Sequence, residues 1–226
     1  MKKNLFAIDC STSVTHLALS TEAGYEEESI ETHPPGDHLL CAAEALLKRN
    51  HESLNSLKAI VYGQGPGSFT GIRMAVCVAQ ALCAVLKIPA VGISTLETMA
   101  HSAHRLYGCK NMAVMLDARM KEVYWGLYSF CEKEKRIKPL EKDQVKKPQD
   151  LYLPPEQHWE VVSYGCDIDS LEIPKEILQL PFYPLESIYL LDMIEIAQKK
   201  MERGEVVNTF PLPVYVRNEV AHKKVQ

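Results

Sequence analysis

The two halves of this chain begin with the same pattern, which is a buried strand, an acid, a short polar turn and a second strand. In the first half, a run of apolar residues ends in Asp9, and a second apolar stretch contains Leu17. In the second half, another apolar run ends in Asp117, and alternating apolar and polar side chains follow around Trp125. Asp9 lies eight residues before Leu17, and Asp117 lies eight residues before Trp125. Because apolar runs and alternation are typical of strands, the repeat predicts a duplicated α/β fold.

The segments between and after these repeats are expected to alternate between strands and helices. Further strands are expected at residues 25–30 (an edge strand), 57–63, 90–93 and, as an extended segment, 211–216. Helices are expected at residues 38–49 after an Asp37 N-cap, 69–87 after a Ser68 N-cap, from Ser94 with Glu97 in a capping box, and 187–203. No low-complexity linker interrupts the chain. We therefore expect two lobes that pack together, residues 1–106 and 107–226.

The composition excludes several classes of function. The 226 residues include 25 Lys and Arg against 29 Asp and Glu, so the formal net charge is −4. Tight binding of nucleic acid by this chain alone is not expected, since phosphate contacts need a basic surface. We find no uninterrupted apolar stretch of 18 residues, and we expect neither a membrane span nor a signal peptide. The seven cysteines form no Cys-x-x-Cys pair, which favours reduced thiols in a cytoplasmic protein over disulfides or a zinc site.

A glycine-rich turn between a predicted strand and the long helix is the first site-like feature. It contains Gly65 and Gly67 and ends at Ser68. Backbone amides at such a helix start can bind phosphate. The turn lacks the Gly-Lys-Ser/Thr of a Walker A loop, however, and Pro66 removes one backbone donor. A structural turn with Ser68 as N-cap is therefore favoured over a phosphate site, and Ser68 as a hydrolase nucleophile is weaker still.

Three other groups of polar residues each have a functional and a purely structural interpretation. Asp9 with Ser11 and Thr12 suits either a metal–phosphate group or a turn that bonds its own backbone, and the sequence leaves both open. The cluster of Asp117 with Arg119 and Glu122 suits either a turn salt bridge or an active-site acid. The histidine pairs have no acid or cysteine at a motif spacing, so no metal site is predicted from them. These two pairs are His101 with His104 and His33 with His38.

The helix over residues 69–87 is apolar nearly all round. Its predicted core face consists of Ala75, Val78, Ala79, Leu82 and Leu86. Its opposite face carries Arg73, Gln80 and Lys87, with the small residues Cys77, Ala81 and Ala84 between them. On the preceding helix, Cys41 and Ala45 interrupt the polar face. We infer a partner surface made of Cys41, Ala45, Arg73, Cys77, Gln80, Ala81 and Ala84, with coverage by another element of the same chain as the alternative.

Five sequence blocks together resemble the TsaB (YeaZ) family. They are IDCSTSVTHLAL at 8–19, GQGPGSFTGIRMAVCVAQAL at 63–82, GISTLETMA at 92–100, LDARMKEVYWGLY at 116–128 and PVYVRNEVA at 213–221. The resemblance implies an actin-like ASKHA (ribonuclease H-like) duplicated fold, in which each lobe has a mixed sheet flanked by helices. It implies a non-catalytic scaffold that binds its paralogue TsaD, and with it the ATPase TsaE, for threonylcarbamoyl transfer to the adenosine beside the tRNA anticodon.

The same resemblance implies how the chain assembles. Members form a homodimer in isolation or a heterodimer with TsaD through the first two helices, and the partner holds the metal. We therefore expect no metal and no cofactor in this chain, with weak nucleotide binding left open, and tRNA contact only through the complex. A vestigial nucleotide site would consist of Asp9, Ser11, Thr12, Gly65 and Gly67.

Several sequence differences from catalytic relatives also predict that this chain is non-catalytic. The stretch equivalent to the His-x-x-x-His metal pair of TsaD, residues 94–99, contains no histidine. Asp117 is followed by Ala118 and Arg119 instead of phosphate-binding glycines, and Cys10 replaces the commoner threonine after Asp9. The alternatives are a stand-alone ASKHA ATPase or small-molecule kinase, and a homodimeric module with a different partner.

Overall fold

A computed structural model describes residues 4–31, 36–155, 157–205 and 210–217. Two mixed sheets form its frame. Sheet A contains β1 (Leu5–Asp9), β2 (Thr15–Ser20), β3 (Tyr25–Ile30), β4 (Ala59–Gly65) and β5 (Ala90–Ser94). Sheet B contains β6 (Asn111–Asp117), β7 (Val123–Cys131), β8 (Arg136–Pro139), β9 (Gln144–Lys146), β10 (Glu160–Tyr164) and β11 (Phe182–Pro184).

The strand orders of the two sheets are equivalent. Sheet A has the strand order β3-β2-β1-β4-β5. Read from the corresponding edge, sheet B has the order β8-β7-β6-β10-β11, and β9 pairs with β7. In each sheet, three strands form an antiparallel meander, and two parallel strands extend it from the other side of the first strand. Asp9 and Asp117 end the corresponding strands β1 and β6. The duplicated α/β fold and the edge position of β3 are thus confirmed.

Among the described residues, five α-helices pack around the sheets. They are α1 (Gly36–Arg49), α2 (Phe69–Leu86), α3 (Thr95–Tyr107), α4 (Lys175–Leu178) and α5 (Leu190–Glu202). The outer core of sheet A lies under α1 and α2, and α3 and α5 contribute to a central core between the sheets. Helix α5 packs on the strands of sheet A although it comes from the second half of the chain. The lobes therefore interlock, while the boundary near residue 106 stays a prediction.

The predicted start of α3 agrees with the structure, whereas the predicted start of α1 differs from it slightly. The Ser94 hydroxyl accepts hydrogen bonds from the backbone amides of Leu96 and Glu97, so its N-cap role for α3 is confirmed. Helix α1 begins at Gly36, one residue before the predicted N-cap Asp37, which therefore lies within the helix. Helix ends commonly differ from a sequence assignment by this much, and the Asp37 side chain lies outside the described part of the chain.

The buried face of α2 is rotated from the predicted one. Its buried residues are Gly71, Ile72, Ala75, Val76, Ala79 and Cys83. Of the predicted core residues, Ala75 and Ala79 are buried, whereas Val78, Leu82 and Leu86 are only half-buried. The physical reason is the close approach of the helix to the β1–β2 turn at Gly71. A Cβ on Gly71 would lie 1.8 Å from the carbonyl oxygen of Cys10, which forces this glycine toward the sheet.

Candidate functional site

The seven residues predicted for a partner surface lie on α1 and α2. Of the seven residues predicted for a partner surface, six are exposed and Gln80 is half-buried. The exposed six are Cys41, Ala45, Arg73, Cys77, Ala81 and Ala84. Val85, which was not among the predicted surface residues, is 78% exposed. Its position four residues after Ala81 places it on the same side of the helix, so the helical period could have found it.

Helix α2 also meets the length and composition criteria of a membrane span. Its 18 residues have a mean hydropathy of 1.8, and 33% of this window is buried in the fold. Because core helices of water-soluble proteins meet the same criteria, this property is weak evidence for a membrane. One face of α2 packs on sheet A, so its apolar character has a structural use in the fold itself.

Residues 210–217, which we call the C-terminal strap, run along one side of α2. The Arg73 Nε donates to the Tyr215 hydroxyl at 2.8 Å, and the Gln80 side-chain amide donates to the Pro211 carbonyl at 2.7 Å. The guanidinium of Arg73 also stacks 3.7 Å above the Phe69 ring. Two of the seven predicted surface residues thus contact the same chain, as the alternative interpretation anticipated, while Cys77, Ala81 and Ala84 remain exposed.

A cleft of about 610 Å³ lies between the two lobes. Its walls include the β1–β2 turn at Ser11 and Thr12, the glycine turn at Gly67, and the strap. The strap spans the cleft, because the Arg217 guanidinium donates to the Ala118 carbonyl and pairs with Glu122 of the second lobe. Its other end is held on the first lobe, so the strap connects both walls.

The glycine turn is folded against the β1–β2 turn. The backbone amide of Ser68 donates to the Ser11 carbonyl at 2.6 Å, and the Ser68 hydroxyl accepts from the Gly71 amide at 3.3 Å. A Cβ on Gly67 would lie 2.3 Å from the Ser11 carbonyl oxygen, which explains the glycine there. Two donors at the start of α2 therefore bond to the protein, and the predicted Ser68 N-cap is confirmed.

The Ser68 cap gives a direct stability prediction. Ser68→Ala should lower the free energy of unfolding by about 1 kcal/mol, because the Gly71 amide loses its acceptor. Urea denaturation followed by circular dichroism measures the change. Thr70→Ala, at an exposed position in the same turn, is the control and should change stability by less than about 0.5 kcal/mol. Equal effects of the two substitutions would contradict the capping role.

Asp9 lies behind the turn and not in the wall of the cleft. Its side chain is fully buried, and one carboxylate oxygen, Oδ1, accepts from the amide and hydroxyl of Ser11. The other oxygen, Oδ2, has no hydrogen-bond partner among the described residues and faces Gly63. Burial raises the pKa of Asp9 and lowers the pKa of the neighbouring His16. Burial thus disfavours the charged form of each side chain.

The five predicted nucleotide-site residues are therefore not all brought together. Ser11, Thr12 and Gly67 line the cleft. Asp9 and Gly65 are absent from its described lining, because Asp9 points toward Gly63 and Gly65 packs under Ile72 and the Val214 carbonyl of the strap. The Ser11 hydroxyl at the cleft wall donates to Asp9 behind it, while the Asp9 carboxylate itself is not part of the described lining.

The polar turn of the second lobe contains two ion pairs. Asp117 accepts from the Arg119 amide at 2.9 Å and lies 3.5 Å from the Arg119 guanidinium, while Glu122 pairs with Arg217. Arg119, Met120 and Lys121 all have positive φ angles, between 52° and 63°, so the turn is strained for residues other than glycine. Asp117 and Arg119 both line the cleft. These contacts agree with the interpretation of this cluster as a turn salt bridge.

His101 belongs to a cluster that the sequence analysis did not detect. Its ring lies 3.1 Å from Asp192, which also accepts from the Ser102 hydroxyl and, at 2.7 and 2.8 Å, from two nitrogens of Arg105. Burial opposes the charge of Asp192, but the hydrogen bonds from His101, Arg105 and Ser102 outweigh it and lower its pKa to about 2.

Nitrogen and oxygen atoms of His101, Asp192 and Glu195 lie within 4.8 Å of one another, close enough for a metal. The Arg105 guanidinium already neutralises Asp192, so a cation would have to displace it. The cluster therefore joins α3 to α5 as a structural ion pair. No signal in the sequence links these residues, which lie about ninety positions apart.

Comparisons with known proteins agree with this architecture. The family model described as "TsaD: tRNA N6-adenosine threonylcarbamoyltransferase" matches residues 36–217. The chain is 31% identical to the tRNA threonylcarbamoyladenosine biosynthesis protein TsaB of Escherichia coli, over 98% of this chain and 97% of that protein. The corresponding protein of Haemophilus influenzae is 28% identical, with 98% and 96% covered.

The chain belongs to the TsaB family. A solved structure titled YeaZ from Pseudomonas aeruginosa has a TM-score of 0.80 and 28% identity, covering 94% of this chain and 99% of that one. A second Pseudomonas aeruginosa structure, described as similar to peptidase YEAZ, has a TM-score of 0.81 and 29% identity, covering 95% and 100%. The family resemblance inferred from the five sequence blocks and the duplicated ASKHA-like α/β fold are both confirmed.

Proposed function

We propose that this chain is a non-catalytic scaffold subunit in tRNA threonylcarbamoyladenosine biosynthesis. It binds a TsaD paralogue through the outer faces of α1 and α2 and stabilises that partner's active arrangement. The partner holds the metal and performs threonylcarbamoyl transfer, TsaE joins the complex, and tRNA is held by the assembly in the cytoplasm. The observation that carries the proposal is the exposed row of Cys77, Ala81, Ala84 and Val85 on α2.

The chemistry of this row suits a helical partner. Small side chains allow a second helix to approach closely, and an apolar face that is covered on binding gains stability from the hydrophobic effect. A paralogue with the same duplicated fold carries equivalent helices, so the two chains can pair these helices about a pseudo-twofold axis. Self-association of this chain uses the same surface when the partner is absent. Binding then stabilises both folded chains by mass action.

The inter-lobe cleft supports a role without catalysis. Phosphate binding at α2 would compete with the Ser11 carbonyl and the Ser68 hydroxyl, which already bond to donors at the helix start. Asp9 lies behind the turn, where burial raises its pKa, so it is poorly placed to hold a metal–phosphate group. The strap also occupies one wall of the cleft. These features weigh against the alternative of an ASKHA ATPase or small-molecule kinase.

A binding experiment with the TsaD of the same organism tests the proposal. We expect a 1:1 complex in gel filtration and calorimetry, and reconstituted threonylcarbamoyl transfer that depends on this chain. The double variant Ala81→Arg with Ala84→Glu should weaken binding at least 100-fold, because two long charged side chains would hold a partner helix away and would be desolvated at an apolar interface. Ala23→Arg, at an exposed small residue of the β2–β3 turn, is the control and should bind as the unmodified chain does.

Two results would contradict the proposal. One is full binding by the Ala81→Arg, Ala84→Glu variant, which would move the partner surface elsewhere. The other is threonylcarbamoyl transfer by TsaD at the same rate with and without this chain. A nucleotide titration of the isolated chain addresses the enzymatic alternative, since micromolar ATP binding that is lost in Asp9→Ala would favour it.

A further inference from the structure

The strap is an extended segment whose backbone is fixed on the first lobe. The Leu212 amide donates to the Tyr62 hydroxyl at 3.1 Å, and the Val214 amide donates to the Gln64 carbonyl at 2.8 Å. Both amides therefore face the body of the lobe. The alternate positions, 211 and 213, are prolines, which have no amide hydrogen to offer on the other side. At positions 211 and 213 the outward edge of the strap thus lacks the donors that strand addition requires.

The side chains of residues 210–214 alternate between the lobe and solvent, as expected for extended backbone, and Tyr215 after them is also exposed. Pro211 is buried, whereas Phe210 and Leu212 are 64% and 56% exposed and Val214 is also exposed. Lone exposed apolar residues need no explanation, but a regular row of large ones is unusual on a monomer surface. The row remains exposed although the backbone beneath it is held by several hydrogen bonds.

Exposed apolar side chains are concentrated around this row. Half of the fourteen large apolar residues that are exposed among the described residues lie on α1, α2 and the strap. These seven are Leu40, Phe69, Val85, Phe210, Leu212, Val214 and Tyr215. Direct contacts join the strap to α2, through Arg73 with Tyr215 and Gln80 with Pro211. The strap therefore lies directly against α2, and its exposed apolar side chains lie beside the outer face of that helix.

We infer that the strap is a third part of the surface on which the TsaD paralogue docks, and that Phe210, Leu212 and Val214 contact it through their side chains. This inference rests on the proposed function and adds an element to its interface. Continuity with the α2 face places the strap beside any helix pair that covers Ala81 and Ala84. Since prolines block strand pairing, the contact is made by side chains packing against an apolar part of the partner.

The position of the strap makes such a contact favourable. Its backbone is already ordered by Tyr62, Gln64 and Gln80, so docking costs little further conformational entropy. Residues 210–216 carry no charge, and covering them desolvates no ionised group. Arg73, which borders the row, keeps its cation–π contact with Phe69 and its hydrogen bond to Tyr215.

The substitution Leu212→Asp in the full chain tests this inference. The Leu212 side chain is more than half exposed and its backbone is held through the amide, so the fold should persist. Calorimetry with the TsaD of the same organism should show a dissociation constant at least tenfold weaker. Leu178→Asp is the matched control, since Leu178 is 47% exposed on α4 in the other lobe, and its affinity should be unchanged. Leu212→Ala, with thermal unfolding of each variant, separates lost contact from lost folding.

The outcomes distinguish this inference from the proposed function. If the unmodified chain does not bind TsaD, the proposed function fails. If the Ala81→Arg, Ala84→Glu variant loses binding while folded Leu212→Asp binds as tightly as the unmodified chain, the strap inference alone is overturned. A Leu212→Asp effect on self-association without any effect on TsaD binding would also overturn it, because the strap would then serve contact between two copies of this chain.

Discussion

Replacing Asp192 by alanine is expected to lower the free energy of unfolding by about 3 kcal/mol, because it leaves Arg105, His101 and Ser102 without their shared acceptor. The cost of breaking a fully buried ion pair is larger, but the Arg105 side chain is one-third exposed and water compensates part of it. Urea denaturation at pH 7 measures the difference. Glu44→Ala, which removes an exposed pair with Lys48, is the control and should change stability by less than about 0.5 kcal/mol.

The same cluster predicts a pH dependence. The pKa of Asp192 is lowered from 3.8 to about 2, so the folded state favours the ionised carboxylate. Its contribution, about 2 kcal/mol, is fully present above about pH 5 and is lost as the pH falls through the folded-state pKa of about 2. The Asp192→Ala variant should therefore differ less from the unmodified chain at pH 2.5 than at pH 7. A difference that stays constant over this range would show that folding does not lower the pKa of Asp192.

Gly71→Ala is expected to lower the free energy of unfolding by about 3 kcal/mol, because the new methyl group would overlap the Cys10 carbonyl and push α2 from the β1–β2 turn. The gain in helix propensity, about 1 kcal/mol, offsets only part of this strain. Thermal and urea unfolding provide the measurement. Displacing α2 should also weaken TsaD binding in the assay described above, since the helix carries the proposed partner surface.

Gly24→Ala is the matched control for this substitution. No heavy atom lies within 4 Å of a Cβ built on Gly24, and its backbone does not have a positive φ. We expect its stability to change by less than about 1 kcal/mol, in either direction. If Gly71→Ala were as stable as Gly24→Ala, the close packing of α2 against the Cys10 carbonyl would be refuted.

The repeated opening predicted the fold because strand, acid and turn are local features that the sequence preserves. The same local signals located Ser68 and Ser94 as N-caps, which bond to amides only two or three residues away. The orientation of α2 was less predictable. Its apolar residues surround the helix, so periodicity could not choose between neighbouring faces, and the choice depends on the contact between Gly71 and Cys10.

The parts of the candidate site that could not be predicted from the sequence depend on long-range contacts. The Asp192 cluster joins residues about ninety positions apart, and the strap reaches Tyr62 from 150 positions away. Asp9 has the position in its strand that the repeat predicts, yet the direction of its carboxylate depends on Gly63 and His16 in neighbouring strands. Neither motif spacing nor hydrophobic periodicity contains such information.

The path of α5 affects how this protein is made. Residues 190–202 cover part of the inner face of sheet A, whose last strand ends at Ser94. A ribosome that adds about 5–20 residues per second needs on the order of ten seconds to synthesise the intervening segment. During that time the part of this apolar face that α5 covers stays exposed in the nascent chain. The interlocked lobes thus delay completion of the first lobe until α5 has been synthesised.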